Sequence, residues 1–268
     1  MAGRITTTVA LDQPQSANGM VIQNNAELVD SNGNQLQQKS KMALVTVQHE
    51  FVDEHGEHYF QVGNDTFILK NSVTLDPLLW QDAMKNGDEP FSLNAENINQ
   101  IWWGMPNGCE PAALLTGLHL QGHALDLDYL TFLKQMPRAS DYNPYHGFGG
   151  EPDQDVPGHF EAIFPAPLVK WASQYAVVRD LSGTKAEALQ QSLQQKKPVL
   201  AYVTVGFETP KWGQYSFGTA LSNNHAVLVD GYFGQLLHVS DPIDGRYWLS
   251  LARFKQAYDA RRWAVEIN

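Results

Sequence analysis

The chain has 268 residues, of which 43% are hydrophobic, and this is enough to bury the core of one large domain or two modest ones. Its 18 basic and 29 acidic residues give a formal net charge of -11, which excludes a non-specific surface for nucleic acid or anionic membranes. No stretch approaches the roughly 18 uninterrupted apolar residues that cross a bilayer, and the N-terminus lacks the apolar region of a signal peptide. The sequence therefore predicts a globular protein with neither a membrane span nor a nucleic-acid partner.

The cysteine and glycine patterns exclude several kinds of site. The single cysteine, Cys109, rules out an intramolecular disulfide, and no spacing of Cys and His pairs is typical of zinc binding. No glycine-rich phosphate loop and no Gly-x-Ser-x-Gly nucleophile motif is present. The sequence therefore predicts neither a metal nor a cofactor.

The N-terminal part of the chain changes character near Ala26. Residues 1–25 are rich in Thr, Gln, Asn and Ser with little periodicity, which predicts a flexible leader. Short β segments with turn signals between them then predict a small all-β domain over residues 26–75. These segments are residues 26–36 with a turn at Asn32-Gly33, 42–51, 58–62 and 65–69.

The spacing of these strands, and the pattern from Tyr59 to Ile68, resembles the SH3-like modules of bacterial surface proteins, most nearly the lactobacillal surface-layer type. The resemblance implies a small barrel that takes a cell-wall ligand, and a location outside the cell or at its surface. Three histidines of this region are expected to be exposed turn and strand residues and not metal ligands: His49, His55 and His58.

The C-terminal part is expected to be a second domain. Residues 76–93 contain prolines and charges and predict a linker with a short helix. Residues 94–268 predict an extended segment, a helix that begins at Cys109, further helices and then strands to the end. Helices followed by strands indicate an α+β fold. The further helices are expected near residues 126–136, 166–175 and 185–194.

Cys109 lies directly before the apolar run 112–120, so it is expected at the N-terminus of a helix. Unpaired backbone N–H groups and the positive end of the helix dipole stabilise a thiolate there, which would lower the thiol pKa from about 8.5 towards neutrality. The alternative is a buried structural cysteine, because a free Cys packs as a small hydrophobic residue.

A histidine and an aspartate follow in an order that suits a thiol nucleophile. His225 opens a β-branched run, so we expect it at the start of a strand. Asp241 ends the next predicted strand, where Pro242 restricts its backbone. A helix-borne Cys, then His and Asp on successive strands, is the order of a papain-like nucleophile, base and orienting carboxylate.

Other acidic residues and histidines compete for these roles. Asp230 shares the strand of His225 and Asp244 belongs to an Asp-Gly turn, so Asp241 is the preferred partner. Three further histidines are expected to be structural: His119, His123 and His238.

Five segments occur in a fixed order: Pro106 to Glu110, Asn143 to Gly150, Lys197 to Val203, Asn224 to Val227, and Asp241 to Gly245. With Gln100 before them, these segments resemble the C39-like cysteine peptidases, also called peptidase C39 type 2, of the papain-like superfamily. The resemblance implies that Cys109 is the nucleophile, His225 the general base and acid, and Asp241 the orienting group. It also implies that Gln100 donates a side-chain hydrogen bond to the oxyanion, although a plain turn residue is the alternative for this position.

The resemblance implies an α+β papain-like cysteine peptidase domain preceded by the small SH3-like barrel. The expected activity is hydrolysis of a peptide or protein substrate through an acyl-enzyme thioester. Two alternatives stay open: a non-catalytic surface or wall-binding protein that keeps the fold, and an acyltransferase that uses the same thioester.

Two features bear on substrate recognition. The proline-rich, acidic loop over residues 138–159 is either a functional lid or a disordered surface loop. Four tryptophans either line a cleft or pack in the core: Trp102, Trp103, Trp212 and Trp248.

Overall fold

A computed structural model describes residues 3–9 and 17–268. The chain divides into two compact units. The first consists of Met1–Pro90, Phe233–His238 and Asp244–Ser250, and the second of Phe91–Tyr232, Val239–Ile243 and Leu251–Asn268. Two short segments beyond Tyr232 therefore cluster with the first unit, whereas the predicted domain boundaries, which stay a prediction, assign them to the second.

The first unit is built mainly from β-strands. In chain order its elements are β1 (Ile5–Val9), β2 (Ala17–Val21), β3 (Ala26–Val29), β4 (Gln35–Lys39), β5 (Leu44–Val47), β6 (His49–Asp53), β7 (His58–Gly63), β8 (Thr66–Leu69), a 3-10 turn (Lys70–Ser72), β9 (Val73–Thr74) and helix α1 (Pro77–Lys85). Among the described residues one sheet has the order β1-β6-β7-β8-β3-β4 and another has the order β5-β2-β9.

Strand β2 corrects the prediction of a flexible leader over residues 1–25. Its residues pair antiparallel with β5, and the side chains of Met20 and Val21 are fully buried. Burying an apolar side chain of this size stabilises a fold by about 1.5–3 kcal/mol, so this part of the segment is an integral strand of the unit. Residues 1–2 and 10–16 of the predicted leader lie outside the described residues.

The segment 42–51, expected as a single strand, contributes to both sheets. Strand β5 pairs with β2, and after Gln48 the chain continues as β6, which pairs with β7 and β1. The expected hairpin at Asn32-Gly33 is confirmed, because β3 and β4 pair and Gly33 has a φ of 79°. The SH3-like barrel itself stays a prediction.

One histidine of this unit differs from its expected exposure. His58 is buried, and its Nδ1 lies 2.6 Å from Oε1 of Glu50, which also accepts a hydrogen bond of 2.7 Å from Lys70 Nζ. A buried, charged carboxylate needs partners, and His58 and Lys70 are the partners of Glu50.

The remaining elements follow along the chain. They are β10 (Phe91–Ser92), α2 (Cys109–Leu120), α3 (Tyr129–Leu133), α4 (Pro165–Ala172), β11 (Val178–Asp180), a 3-10 turn (Ala186–Leu189), α5 (Gln190–Gln194), β12 (Val199–Thr204), a 3-10 turn (Val205–Phe207), β13 (Trp212–Tyr215), β14 (Gly218–Leu221), β15 (Asn224–Phe233), β16 (Leu236–Asp241), β17 (Gly245–Ser250), α6 (Leu251–Tyr258) and β18 (Ala264–Ile267). The mixture of helix and strand agrees with the α+β prediction, although α6 interrupts the strands that were expected to run to the end.

Helix α2 packs closely on the sheet of the second unit. In this sheet the strands β11, β18, β12, β15 and β16 are successive neighbours, and β12 pairs antiparallel with both β15 and β18. A Cβ added at Gly117 would lie 2.4 Å from Ile267 Cδ1 and 3.0 Å from Leu228 Cδ1, so the helix backbone touches the sheet at this point. Every α2 residue from Cys109 to Leu118 is buried, as expected of a helix that is apolar on all faces.

Replacing Met20 by Ala should lower the free energy of unfolding of the first unit by about 2–5 kcal/mol, because the change leaves a cavity in a closed core. Met84, which is 42% exposed on α1, provides the matched control, and Met84→Ala should have a much smaller effect. Urea unfolding followed by circular dichroism measures both values. Equal, small losses in the two variants would mean that β2 is not part of the packed core.

Candidate active site

Cys109 occupies the first position of α2, directly after Gly108. Tyr129 donates a hydrogen bond of 2.7 Å from its hydroxyl to the carbonyl oxygen of Gly108. A Cβ at position 108 would lie only 1.9 Å from that hydroxyl oxygen, so a glycine is required where the chain enters the helix. The glycine and the tyrosine together fix the position of the thiol.

His225 and Asp241 form a buried pair. His225 lies near the start of β15, opposite Val203 of β12, and its Nε2 lies 2.7 Å from Oδ1 of Asp241 at the end of β16. The exposures of the two residues are 1% and 0%, and Oδ1 of Asp241 also accepts a hydrogen bond of 2.8 Å from the backbone N–H of Ile243. These contacts orient the imidazole, and proton exchange with a thiol would use its other ring nitrogen, Nδ1.

The thiol lies beside the same end of β15. The sulfur of Cys109 faces the backbone N–H of Ala226, the residue after His225. Cys109 Sγ also donates to Oε2 of Glu110 at 3.3 Å, and the Nδ2 of Asn224 donates to Oε1 of the same carboxylate at 2.9 Å. The structure therefore brings the predicted nucleophile to the strand end that carries the predicted base.

The environment of the thiol differs from the one expected at an exposed helix end. Burial raises the pKa of the Cys109 thiol well above its usual value, and the charge and hydrogen bond of Glu110 raise it further. The hydrogen bond from Ala226 lowers this pKa but does not reverse the shift. The expected lowering by the helix N-terminus is therefore wrong for this state, because removal from water and a neighbouring carboxylate outweigh the dipole.

Glu110 is itself a perturbed group. It is fully buried, and burial raises the pKa of its carboxyl group from 4.5 to about 7, even though hydrogen bonds from its own backbone, Cys109 and Asn224 and the charge of His225 lower it. The carboxylate therefore gains or loses its charge close to neutral pH.

Gln100 is buried next to this site. Its backbone N–H donates to the carbonyl oxygen of Pro242 at 2.8 Å, and its Nε2 donates to the carbonyl oxygen of Pro106 at 2.6 Å. These contacts connect Gln100 to the segment that follows Asp241 and to the segment that precedes Cys109. An amide nitrogen carries two hydrogens, so the second one can be directed at a substrate oxygen.

The alternative residues have structural contacts. Asp230 accepts hydrogen bonds from the backbone of Ala95 at 2.7 Å and from Ser92 Oγ at 3.4 Å, so it holds the start of the second unit in place. The three histidines that the sequence offered as alternatives to His225 contact oxygens away from the thiol: His119 with Ala124 O at 3.0 Å, His123 with Asn268 O at 3.2 Å, and His238 with Asn71 Oδ1 at 2.8 Å. Asp244 belongs to the first unit.

Sequence reasoning did not assign roles to three residues that contact the site. Glu110 and Asn224 share a hydrogen bond, and Asn97 donates from Nδ2 to the backbone oxygen of Asp241 at 2.8 Å. Glu110 and Asn224 are direct neighbours of Cys109 and His225 in the sequence, and this adjacency is the signal that could have identified them.

The loop over residues 138–159 is ordered, which corrects the alternative of a disordered loop. Phe148 is buried, and its backbone exchanges hydrogen bonds with Pro137 O and Ala139 N. The loop also contacts the segment before the nucleophile, because Asn107 donates to Pro152 O at 3.0 Å and to Asp155 Oδ1 at 3.0 Å.

The four tryptophans divide between surface and interior. Trp102 and Trp212 are 53% and 52% exposed, whereas Trp248 is buried and Trp103 packs against the main core. Within the described ranges, no group of three or more His, Cys, Asp and Glu side chains is arranged to hold a metal ion. Over the same residues, no helix has the length and apolar character needed to span a membrane.

Comparison with known proteins identifies the family. A family model described as the Peptidase_C39 like family matches residues 92–264, and the chain therefore belongs to this family. Among solved structures, the chain is similar to a candidate C39-like peptidase from Bacillus anthracis, with a TM-score of 0.58 and 20% identity over 68% of this chain and 98% of that chain. At this identity the likeness shows a shared fold. No curated protein matches the chain.

Replacing Gly108 by Ala should destabilise the second unit by about 1–3 kcal/mol and displace the thiol, because the new methyl group collides with the Tyr129 hydroxyl. Thermal unfolding and the alkylation rate of Cys109 measure the two effects. The double variant Gly108→Ala/Tyr129→Phe should recover part of both losses, since it removes the colliding oxygen. Equal damage in the single and double variants would contradict this explanation.

The stability of the second unit should depend on the charge of Glu110. Its pKa in the folded chain, about 7, lies above the usual 4.5, so its favourable contribution is complete below about pH 4.5 and is lost as the pH rises through 7. Relative to Glu110→Gln, the wild-type protein should lose on the order of 3 kcal/mol over this interval. Urea unfolding of both proteins from pH 4.5 to pH 8 checks this difference, and a constant difference would contradict it.

Proposed function

We propose that this protein is a cysteine peptidase with a papain-like site, in which Cys109 is the nucleophile, His225 the general base and acid, and Asp241 the orienting carboxylate. The observation that carries the proposal is the buried 2.7 Å contact between His225 Nε2 and Asp241 Oδ1 beside the single thiol of the chain. Membership of the C39-like family supports the same reaction class.

In the first half of the reaction, His225 takes the proton of the Cys109 thiol and the sulfur attacks the carbonyl carbon of a peptide bond. Asp241 stabilises the imidazolium that forms, because its carboxylate is held against Nε2 in a water-poor interior. The thiol needs this base, because burial and the neighbouring Glu110 hold the pKa of Cys109 well above its usual value.

The tetrahedral intermediate places a negative charge on the former carbonyl oxygen. Two groups are proposed to donate to this oxygen: the backbone N–H of Cys109 at the start of α2 and the Nε2 of Gln100. Collapse of the intermediate expels the amine, which takes its proton from His225, and leaves an acyl group on sulfur as a thioester. Water, activated by His225, then hydrolyses the thioester and regenerates the thiol.

The first unit is proposed to be an SH3-like module that binds a cell-wall ligand and places the peptidase outside the cell or at its surface. The strand-rich composition of this unit and its two sheets support this proposal. The ordered loop over residues 138–159 is proposed to act as part of the substrate site, because it contacts Asn107 two positions before the nucleophile.

The decisive experiment combines substrate turnover with alkylation of the thiol. A mixture of synthetic peptides should be cleaved by the wild-type protein, as measured by mass spectrometry, and cleavage should be abolished in Cys109→Ala and His225→Ala. Asp241→Asn should lower kcat by about 10⁴-fold and Gln100→Ala by about 10²–10³-fold, by the loss of the orienting group and of one oxyanion donor.

Iodoacetamide tests the nucleophile without a substrate. The wild-type thiol should react at a lower pH than the thiol of His225→Ala, which has no base to take its proton and must ionise on its own. His119→Ala is the matched control, since His119 lies on the same helix but contacts Ala124, and it should react like the wild type. A thiol that is indifferent to His225 would overturn the proposal and favour a non-catalytic binding protein.

A further inference from the structure

Glu110 is a buried carboxylate that directly contacts the nucleophile. Its exposed fraction is 0%, its Oε2 accepts the hydrogen bond of Cys109 Sγ at 3.3 Å, and its Oε1 is fixed by Asn224 Nδ2 at 2.9 Å. The carboxylate therefore connects the first turn of α2 to the residue before His225. The peptidase mechanism above does not use it.

The direction of the hydrogen bond determines its chemical effect. A carboxylate that accepts the S–H proton favours the thiol, because loss of this proton would leave two negative groups 3.3 Å apart in a water-poor interior. A neutral group that donates to sulfur at the same place would favour the thiolate. The charge of Glu110 thus opposes the ionisation that a cysteine peptidase needs.

We propose that Glu110 is a positioning residue that holds Cys109 in its thiol form in the substrate-free protein and releases this restraint when the carboxylate takes up a proton. The inference rests on the proposed function, since it concerns the same nucleophile. As Glu110 takes up a proton, the reactivity of the Cys109 thiol should therefore rise towards that of a variant that lacks this charge.

Ionisable groups from four elements surround this carboxylate. Cys109 of α2 donates to it and His225 of β15 acts on it through its charge. Tyr202 of β12 and Tyr129 of α3 also face it: burial raises both tyrosine pKa values, and the charges of Glu110 and Cys109 raise them further. The two tyrosines stay neutral across the relevant range, so His225 is the neighbour among these that can carry a positive charge.

Glu110→Gln tests the proposal with little change of shape. The Oε1 of the new amide can still accept from Asn224, but its Nε2 donates to sulfur and therefore reverses the hydrogen bond. The pH at which iodoacetamide reacts with Cys109 at half its maximal rate should fall by about one unit or more relative to the wild type. Below about pH 7, where the wild-type carboxyl is protonated, the two rates should converge.

A second variant and a control make the result specific. Asn224→Ala removes a hydrogen bond that favours the charged carboxylate, so it should lower the half-reaction pH in the same direction by a smaller amount. Glu266→Gln removes another buried carboxylate of the second unit, one that accepts from Ser192 and pairs with Lys197, and should leave the half-reaction pH unchanged. An unchanged or higher half-reaction pH in Glu110→Gln, or an equal fall in Glu266→Gln, would overturn the proposal.

Peptide cleavage separates this inference from the proposed function. If Glu110→Gln shifts the alkylation profile but no peptide is cleaved by any variant, Glu110 restrains the thiol and the peptidase assignment fails. If cleavage depends on Cys109 and His225 but the alkylation profile of Glu110→Gln equals that of the wild type, the peptidase assignment stands and the role of Glu110 is overturned.

Discussion

The burial of helix α2 on all sides is the constraint on which the rest of the site depends. The helix touches the sheet at Gly117, and all its residues from Cys109 to Leu118 are buried. A charge in such a place is costly unless it is paired, so each polar group there has a specific partner. The hydrogen bonds among Cys109, Glu110 and Asn224 follow from this requirement.

The same burial gives the two carboxylates of the site opposite roles. Asp241 contacts His225 and a backbone N–H, so its charge supports an imidazolium. Glu110 contacts a thiol and an amide, and burial raises its pKa to about 7. In the proposed mechanism, Asp241 therefore promotes transfer of the thiol proton to His225, and Glu110 keeps that proton on sulfur. Environments that separate the behaviour of two nearby acids are typical of catalytic sites.

Elements that depend on adjacent residues could be predicted from the sequence, whereas elements that depend on strand partners distant in the chain could not. The hairpin at Asn32-Gly33 was predictable because a glycine with positive φ determines the turn on its own. Strand β2 was not, since it lies in a segment rich in Thr, Gln, Asn and Ser, and its buried residues Met20 and Val21 belong to a strand that pairs with β5, distant in sequence. Likewise, the pattern of residues 42–51 predicts one strand, and only the partners on either side of Gln48 divide it between two sheets.

The sequence by itself determined the family and predicted the set of reactive residues, because Cys109, His225, Asp241 and Gln100 lie in short segments whose order is typical of C39-like peptidases. Tertiary structure decided the electrostatics. The helix start predicted an acidic thiol, whereas the pKa is raised, since desolvation and the Glu110 charge depend on what is packed around the residue and not on its neighbours in the chain. The imidazole orientation also required the structure, because it arises where the ends of β15 and β16 bring His225 and Asp241 to 2.7 Å.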